Sequence, residues 1–213
     1  MDTKAMFKFS YGMFVVGTRN NNKNYACLIN TAIQVTSSPL QISMTINKDN
    51  ATCKALLEKK SCTLSVLSQD VDMKYIGRFG FRCSDTFEKF DGIKMAYSKN
   101  TNPYTPECSC AVLDLDIVNT LDVGSHIIFV GEVVDAEVLS DARPITYDYY
   151  HNVLKGKTPP KASSYIEEKK VETKHKFRCS VCGYIHEINE DSLPVDFRCP
   201  ICGVGADKFE KIS

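Results

Sequence analysis

Leu40-Gln-Ile-Ser-Met-Thr-Ile46 alternates apolar and polar residues with a period of two, and Asn47-Lys48-Asp49-Asn50-Ala51-Thr52 follows it directly. The alternation is that of a half-buried strand. The polar run ends in residues that cap helices, and Cys53, Leu56 and Leu57 then carry helical spacing through residues 51–60. A strand thus delivers the chain to a helix N-terminus, whose free N–H groups, dipole, hydroxyls and lysine are receptive to phosphate. Ser, Thr and Asn also collect in loops because they satisfy turns and caps, so the polar run alone supports both readings.

Working outward, Cys62-Thr-Leu-Ser-Val-Leu67 repeats the alternation and predicts another half-buried strand. Upstream, the apolar runs Phe14-Val-Val-Gly-Thr18 and Tyr25-Ala-Cys-Leu-Ile29 flank Arg19-Asn-Asn-Asn-Lys-Asn24, whose asparagines tolerate left-handed backbone. That pattern predicts a hairpin. The string Asn30-Thr31-Ala32-Ile-Gln34-Val-Thr36-Ser37-Ser-Pro39 reads as a polar connection between strands. Downstream, a helix is expected over about 70–79, capped by Ser68 or Asp70, and strands over 110–118 and 127–139, with Gly131 as a bend or bulge in the second. Many strands with two or three helices predict a mainly β fold, a barrel with a few helices.

The 213 residues carry 26 Lys and Arg against 26 Asp and Glu, a formal net charge of zero. No basic excess points to nucleic acid and no polybasic run to a membrane surface. No apolar run reaches the length of a membrane span, and residues 1–10 lack the long apolar core of an export signal, so a cytoplasmic location is expected. The chain is long enough for one ordinary domain and a small appendage. Composition changes at Gly156-Lys-Thr-Pro-Pro-Lys-Ala-Ser-Ser-Tyr165 and the charged run 166–176, which together read as a linker. The expected organisation is a barrel over 1–157, a linker over 158–175 and a small domain over 176–213.

That small domain contains Cys179-Ser-Val-Cys182-Gly-Tyr and, with sixteen residues between Cys182 and Cys199, Cys199-Pro-Ile-Cys202-Gly. Two such knuckles close four thiolates around one tetrahedral metal, and thiolate-only sites suit either zinc or a single iron. Phe177, Tyr184, Phe197 and Phe209 offer a small aromatic core.

These residues carry two resemblances. Residues 177–210 resemble rubredoxin, the one-iron electron carrier, through Cys-Ser-Val-Cys-Gly-Tyr, Leu193-Pro-Val-Asp-Phe-Arg-Cys-Pro200 and Gly205-Ala-Asp-Lys-Phe-Glu210. The short loop between the knuckles and Gly-Tyr-Ile-His186-Glu187 are similar to the rubredoxin-like tail of rubrerythrins. Residues 13–90 resemble the FMN-binding split-barrel family of flavin reductases and flavoredoxins through Ile-Asn-Thr-Ala-Ile-Gln-Val-Thr-Ser-Ser-Pro, Asn-Lys-Asp-Asn-Ala-Thr and Phe79-Gly-Phe81. Tyr147-Asp-Tyr-Tyr-His-Asn-Val-Leu-Lys-Gly-Lys-Thr-Pro159 matches that family's tail. The resemblance implies that Asn30, Thr31 and Ala32 line the isoalloxazine edge. It places Gln34, Thr36 and Ser37 toward the ribityl chain or phosphate, and Asn47, Lys48, Asn50 and Thr52 at the phosphate end. It also implies a homodimer.

The pairing of the two parts is similar to the high-molecular-weight rubredoxins, whose family role is reducing a flavodiiron protein that removes oxygen or nitric oxide in anaerobes. It implies electron transfer from NADH or NADPH through FMN to an iron held by Cys179, Cys182, Cys199 and Cys202. Alternatives are a simple flavin reductase, a donor to a rubrerythrin-type peroxidase, or a zinc-ribbon binding module. With no Gly-x-Gly-x-x-Gly after a strand, any nicotinamide donor docks over the flavin. Cys27, Cys53 and Cys62 are expected as small core hydrophobes, Cys108 and Cys110 on one face of a strand, Asp114 and Asp116 on a solvated face, and His151 as a partly exposed hydrogen-bonded histidine.

Overall fold

A computed structural model describes residues 2–165 and 175–212 and divides the chain into two compact units, Met1–Ile166 and Glu167–Ser213. In chain order the first unit contains β1 (Phe14–Asn20), β2 (Lys23–Ile29), β3 (Ala32–Ser37), β4 (Leu40–Asn47), α1 (Ala51–Lys59), β5 (Ser61–Leu67) and α2 (Met73–Gly80). It continues through β6 (Ala96–Tyr97), β7 (Pro103–Tyr104), β8 (Ser109–Asp122), β9 (His126–Val138) and α3 (Tyr147–Asn152). The second holds β10 (His175–Cys179), β11 (Ile185–Ile188) and β12 (Phe209–Lys211). No helix among the described residues is long and apolar enough to cross a membrane.

Seven strands form one antiparallel sheet in the order β2-β1-β5-β8-β9-β4-β3. Cys27 and Ile29 of β2 share a core cluster with Ile42, Met44 and Ile46 of β4, although those strands lie toward opposite ends of the sheet. The sheet therefore curls on itself, and Cys53 and Leu56 of α1 fill its interior. A second cluster covers the other side of β1 and β2, where Ile76 and Phe79 of α2 and Tyr147 and Tyr150 of α3 meet Val15 and Ala26. β1 is thus buried on both faces, Val16 inward and Val15 outward.

The predicted hairpin turns at Asn21 and Asn22, both at positive φ, and Asn50 caps α1 by accepting the Thr52 N–H. The polar string after Asn30 is not a connection but the edge strand β3, whose backbone pairs with β4 while Ile33 and Val35 stay exposed. α2 starts at Met73 under an Asp72 cap, because Ser68 and Gln69 spend their N–H groups on Cys108 and Arg143. β5 is buried on both faces rather than half-buried: Cys62 and Leu64 face the core, and Thr63 donates to the Pro103 carbonyl of β7 at 2.7 Å.

Asp114 is buried, not solvated, since the loop before β7 crosses it and the Asn100 N–H donates to its carboxylate at 3.0 Å. Cys108 precedes β8 with left-handed backbone, so it does not share a strand face with Cys110. Between β8 and β9 the register slips twice, leaving Val118 and Val134 unpaired. Gly131 sits beside the first slip, where an added Cβ would lie 3.1 Å from that of Leu115. Its missing side chain permits the close strand contact there.

Candidate cofactor cleft and metal centre

The second unit is a three-stranded sheet, β11-β10-β12, with the Cys179 knuckle at the end of β10. Both knuckles use one backbone turn. Cys179 donates to Tyr184 and accepts from Gly183; Cys199 donates to Val204 and accepts from Gly203, all at 2.8–2.9 Å. Gly183 and Gly203 hold the left-handed conformation this turn demands, at φ +76° and +74°.

The turns aim N–H groups at sulfur: Val181 and Cys182 at Cys179, Tyr184 at Cys182, Ile201 and Cys202 at Cys199, and Val204 at Cys202. Burial pushes the Cys179 and Cys199 thiols up, yet these N–H groups prevail, holding Cys179 below the ordinary thiol value and Cys199 at about 7. Cys182 and Cys202 also receive N–H bonds, but burial and the adjacent sulfurs raise them, Cys202 to about 12. Four crowded thiols cannot all ionise without a cation among them. The four ligand atoms lie within 4.8 Å of one another, with Cys179 and Cys202 sulfurs 3.7 Å apart and those of Cys182 and Cys199 3.5 Å apart. A tetrahedron with metal–sulfur bonds of about 2.3 Å has edges of about 3.8 Å, so the quartet fits such a metal. Around it, His186 packs on Phe197 and Phe197 on Phe209, with ring centroids 4.5 and 5.3 Å apart.

In the first unit, the ends of β2 and β4, the N-terminal side of α1 and the residues after α2 border a cleft of about 270 Å³. Of the residues predicted to hold flavin, Asn30, Asn47 and Asn50 line it. Thr31 stands beside it, donating to the Thr45 carbonyl, and Ala32 packs against the barrel core. Gln34 and Ser37 are exposed on the edge strand, where Thr36 accepts from the Ser38 N–H. Lys48 is paired with Asp122 at 2.6 Å, and Thr52 is fully buried in α1. Within one chain the structure therefore gathers the asparagines and leaves the β3 residues apart.

Sequence reasoning missed the residues that close the cleft. Ser164 accepts from the Asn30 amide at 2.6 Å, and Ser163 donates to Asn30 and Thr31. The Lys161 carbonyl accepts from Asn47, while its ammonium meets Asp49 at 3.1 Å and holds that carboxyl below its usual value. These residues lie in the expected linker; its first part, to Tyr165, packs on the barrel, and 166–174 lie outside the described residues. His126, at the start of β9 and opposite Asn47, also lines the cleft, with Nδ1 2.7 Å from the Ser125 hydroxyl. No motif marks it in the sequence. His151 is anchored to Gly156 and Thr158 and packs against Tyr147. With Leu28, Ile29, Ile46 and Phe81 as apolar walls, two amides and a nine-residue helix N-terminus, the cleft has the polarity a flavin and its phosphate require.

Two family models match the chain: the flavin reductase like domain over residues 6–155, and the rubrerythrin, rubredoxin-like domain over 177–210. A high molecular weight rubredoxin of Moorella thermoacetica is 34% identical, with 100% of both chains covered. A ferric-chelate reductase (NAD(P)H) of Archaeoglobus fulgidus is 44% identical over 79% of this chain and 100% of its own. Among solved structures, the FMN-binding protein of Thermus thermophilus superposes with a TM-score of 0.57 at 18% identity, covering 62% of this chain and 73% of that one, a likeness of fold.

Proposed function

Since this chain belongs to the flavin reductase-like family and ends in a rubredoxin-like domain, we propose that it is an NAD(P)H-dependent oxidoreductase that passes electrons through FMN to one iron and on to a flavodiiron protein. Bound flavin supplies hydride acceptance and single-electron release, and a tetrathiolate iron supplies one-electron carriage. The observation that carries the reading is the conjunction, in one chain, of the Asn30, Asn47 and Asn50 cleft with a four-sulfur site lined by N–H donors.

Each set of residues has a definite task. The amide of Asn30 offers donors and acceptors to the edge of a flavin ring, and Asn47 with the α1 N-terminus capped by Asn50 suits one terminal phosphate, which favours FMN. Gln34, Thr36 and Ser37 bear on flavin only if edge strand β3 meets a second copy of the chain. Exposed Ile33 on β3 and Leu121 on β8 support that homodimer, because apolar side chains on an outer sheet face gain by being covered. N–H groups directed at the sulfurs favour added negative charge there and so set the potential of a bound iron. The named activity of the ferric-chelate reductase supports a nicotinamide donor.

The test is an anaerobic absorption spectrum of the purified protein before and after adding NADH or NADPH, with metal analysis of the same sample. Flavin and ferric-thiolate bands are both expected to bleach, with about three electron equivalents taken up per chain. Zinc in the sample with bleaching of flavin alone would reduce the function to flavin reduction with a docking tail. Mixing the reduced protein with a flavodiiron protein, and separately with a rubrerythrin-type peroxidase, then decides the acceptor.

A further inference from the structure

Beside the cofactor cleft lies a second, more open depression of about 730 Å³, and the two share Phe81 and Arg82. Lys74, Arg78 and Arg82 border it at four-residue spacing along α2 and its continuation. Arg78 and Arg82 both stack on the ring of Phe87, with guanidinium carbons 5.4 and 5.3 Å from its centroid. Arg78 is further tied down, donating to the carbonyls of Lys89 and Asp91 at 3.2 and 2.7 Å. Arg82 is exposed, and the Phe87 ring is its one partner among the described residues. The acids on the same depression are engaged elsewhere: Asp72 caps α2 at the Tyr75 N–H, and Asp70 accepts from the Ser68 hydroxyl.

A guanidinium that is oriented by stacking but has no carboxylate keeps its planar fork of donors free for an incoming anion. It stands on the wall between the cofactor cleft and the open depression. The chain also lacks a glycine-rich phosphate loop, so a dinucleotide must find a phosphate anchor elsewhere. We propose that Arg82, held by Phe87 and flanked by Arg78, receives the phosphate groups of the nicotinamide dinucleotide and so fixes the donor across the cofactor cleft. This rests on the NAD(P)H-oxidising reading above.

The experiment is steady-state donor oxidation by the full-length, flavin- and metal-loaded protein as wild type, Arg82→Ala and Arg82→Lys, with NADH and NADPH. Loss of a charge-assisted, bidentate contact predicts a KM for donor raised roughly ten- to hundredfold in Arg82→Ala, with kcat at saturation within about threefold. Flavin content, melting temperature and dithionite reduction of the flavin should match wild type, and Arg82→Lys should recover part of the loss by keeping the charge without the fork. A rise for both donors assigns the contact to the diphosphate, and a rise for NADPH alone assigns it to the 2′-phosphate; either supports the proposal. An unchanged KM for both donors, in a protein whose wild type turns over, overturns it. A wild type inert to both donors would instead bring down the functional reading, and this proposal with it.

Discussion

Cys27 lies at the scale where one atom's surroundings decide a bulk property. It is 1% exposed in the barrel core, and burial pushes its thiol up to about 11 from an unfolded value of 9.0, with Lys89 opposing the shift. The folded state therefore holds the proton more tightly than the unfolded one. Its contribution is fully present below pH 9 and is lost as pH rises toward 11, a change on the order of 2–3 kcal/mol for a shift of this size. Urea midpoints followed by circular dichroism should fall between pH 9 and 11 in wild type. In Cys27→Ala the fall should be shallower, from a lower starting stability because a small cavity is left. Parallel curves for the two proteins would mean that the buried thiol does not govern alkaline unfolding. The burial itself was readable beforehand, because a cysteine inside an apolar run behaves as a small hydrophobe. The burial of Asp114 was not: it depends on Asn100, supplied by a loop that no periodicity places.

Among the elements, β4 and α1 were legible because each carries its own pattern, alternation in one and a cap with helical spacing in the other. β3 was not, because an edge strand that leaves Ile33 and Val35 exposed lacks the alternation a buried face imposes. The start of α2 was missed for a different reason. Ser68 and Gln69 are held by long-range bonds to Cys108 and Arg143, and such bonds leave no local trace. At α1, capping and ligand binding can be separated in one substitution. Asp caps a helix about as well as Asn, so Asn50→Asp should keep the barrel within about 0.5 kcal/mol of wild-type stability. The same change places a carboxylate where the phosphate is proposed to sit, and should weaken flavin binding by roughly tenfold or more. Fluorescence titration with FMN beside a thermal melt checks both. Unchanged affinity would move the phosphate away from the α1 N-terminus.

For the molecule as a whole, the two units stand on different physical footings. The barrel has two apolar clusters of its own, whereas the described part of Glu167–Ser213 buries only Phe177, Cys179 and Cys199 as apolar residues. That is far too little burial to offset chain entropy, so metal binding must supply the tail's folding free energy. The knuckle spacing announced this in sequence, because ligand geometry is local. The closing segment at Lys161, Ser163 and Ser164 was hidden, because its bonds reach back more than a hundred residues to Asn30, Asn47 and Asp49. Cys182→Ala, which removes one ligand, tests the division. Amide hydrogen exchange should lose protection throughout β10, β11 and β12, while the barrel strands keep theirs. NAD(P)H should still reduce the flavin at a rate within about twofold of wild type, since the barrel has two apolar clusters of its own, whereas transfer to an added acceptor should cease. Transfer persisting with the tail unfolded would show that flavin gives electrons to the acceptor directly. The metal would then be a staple and not a relay.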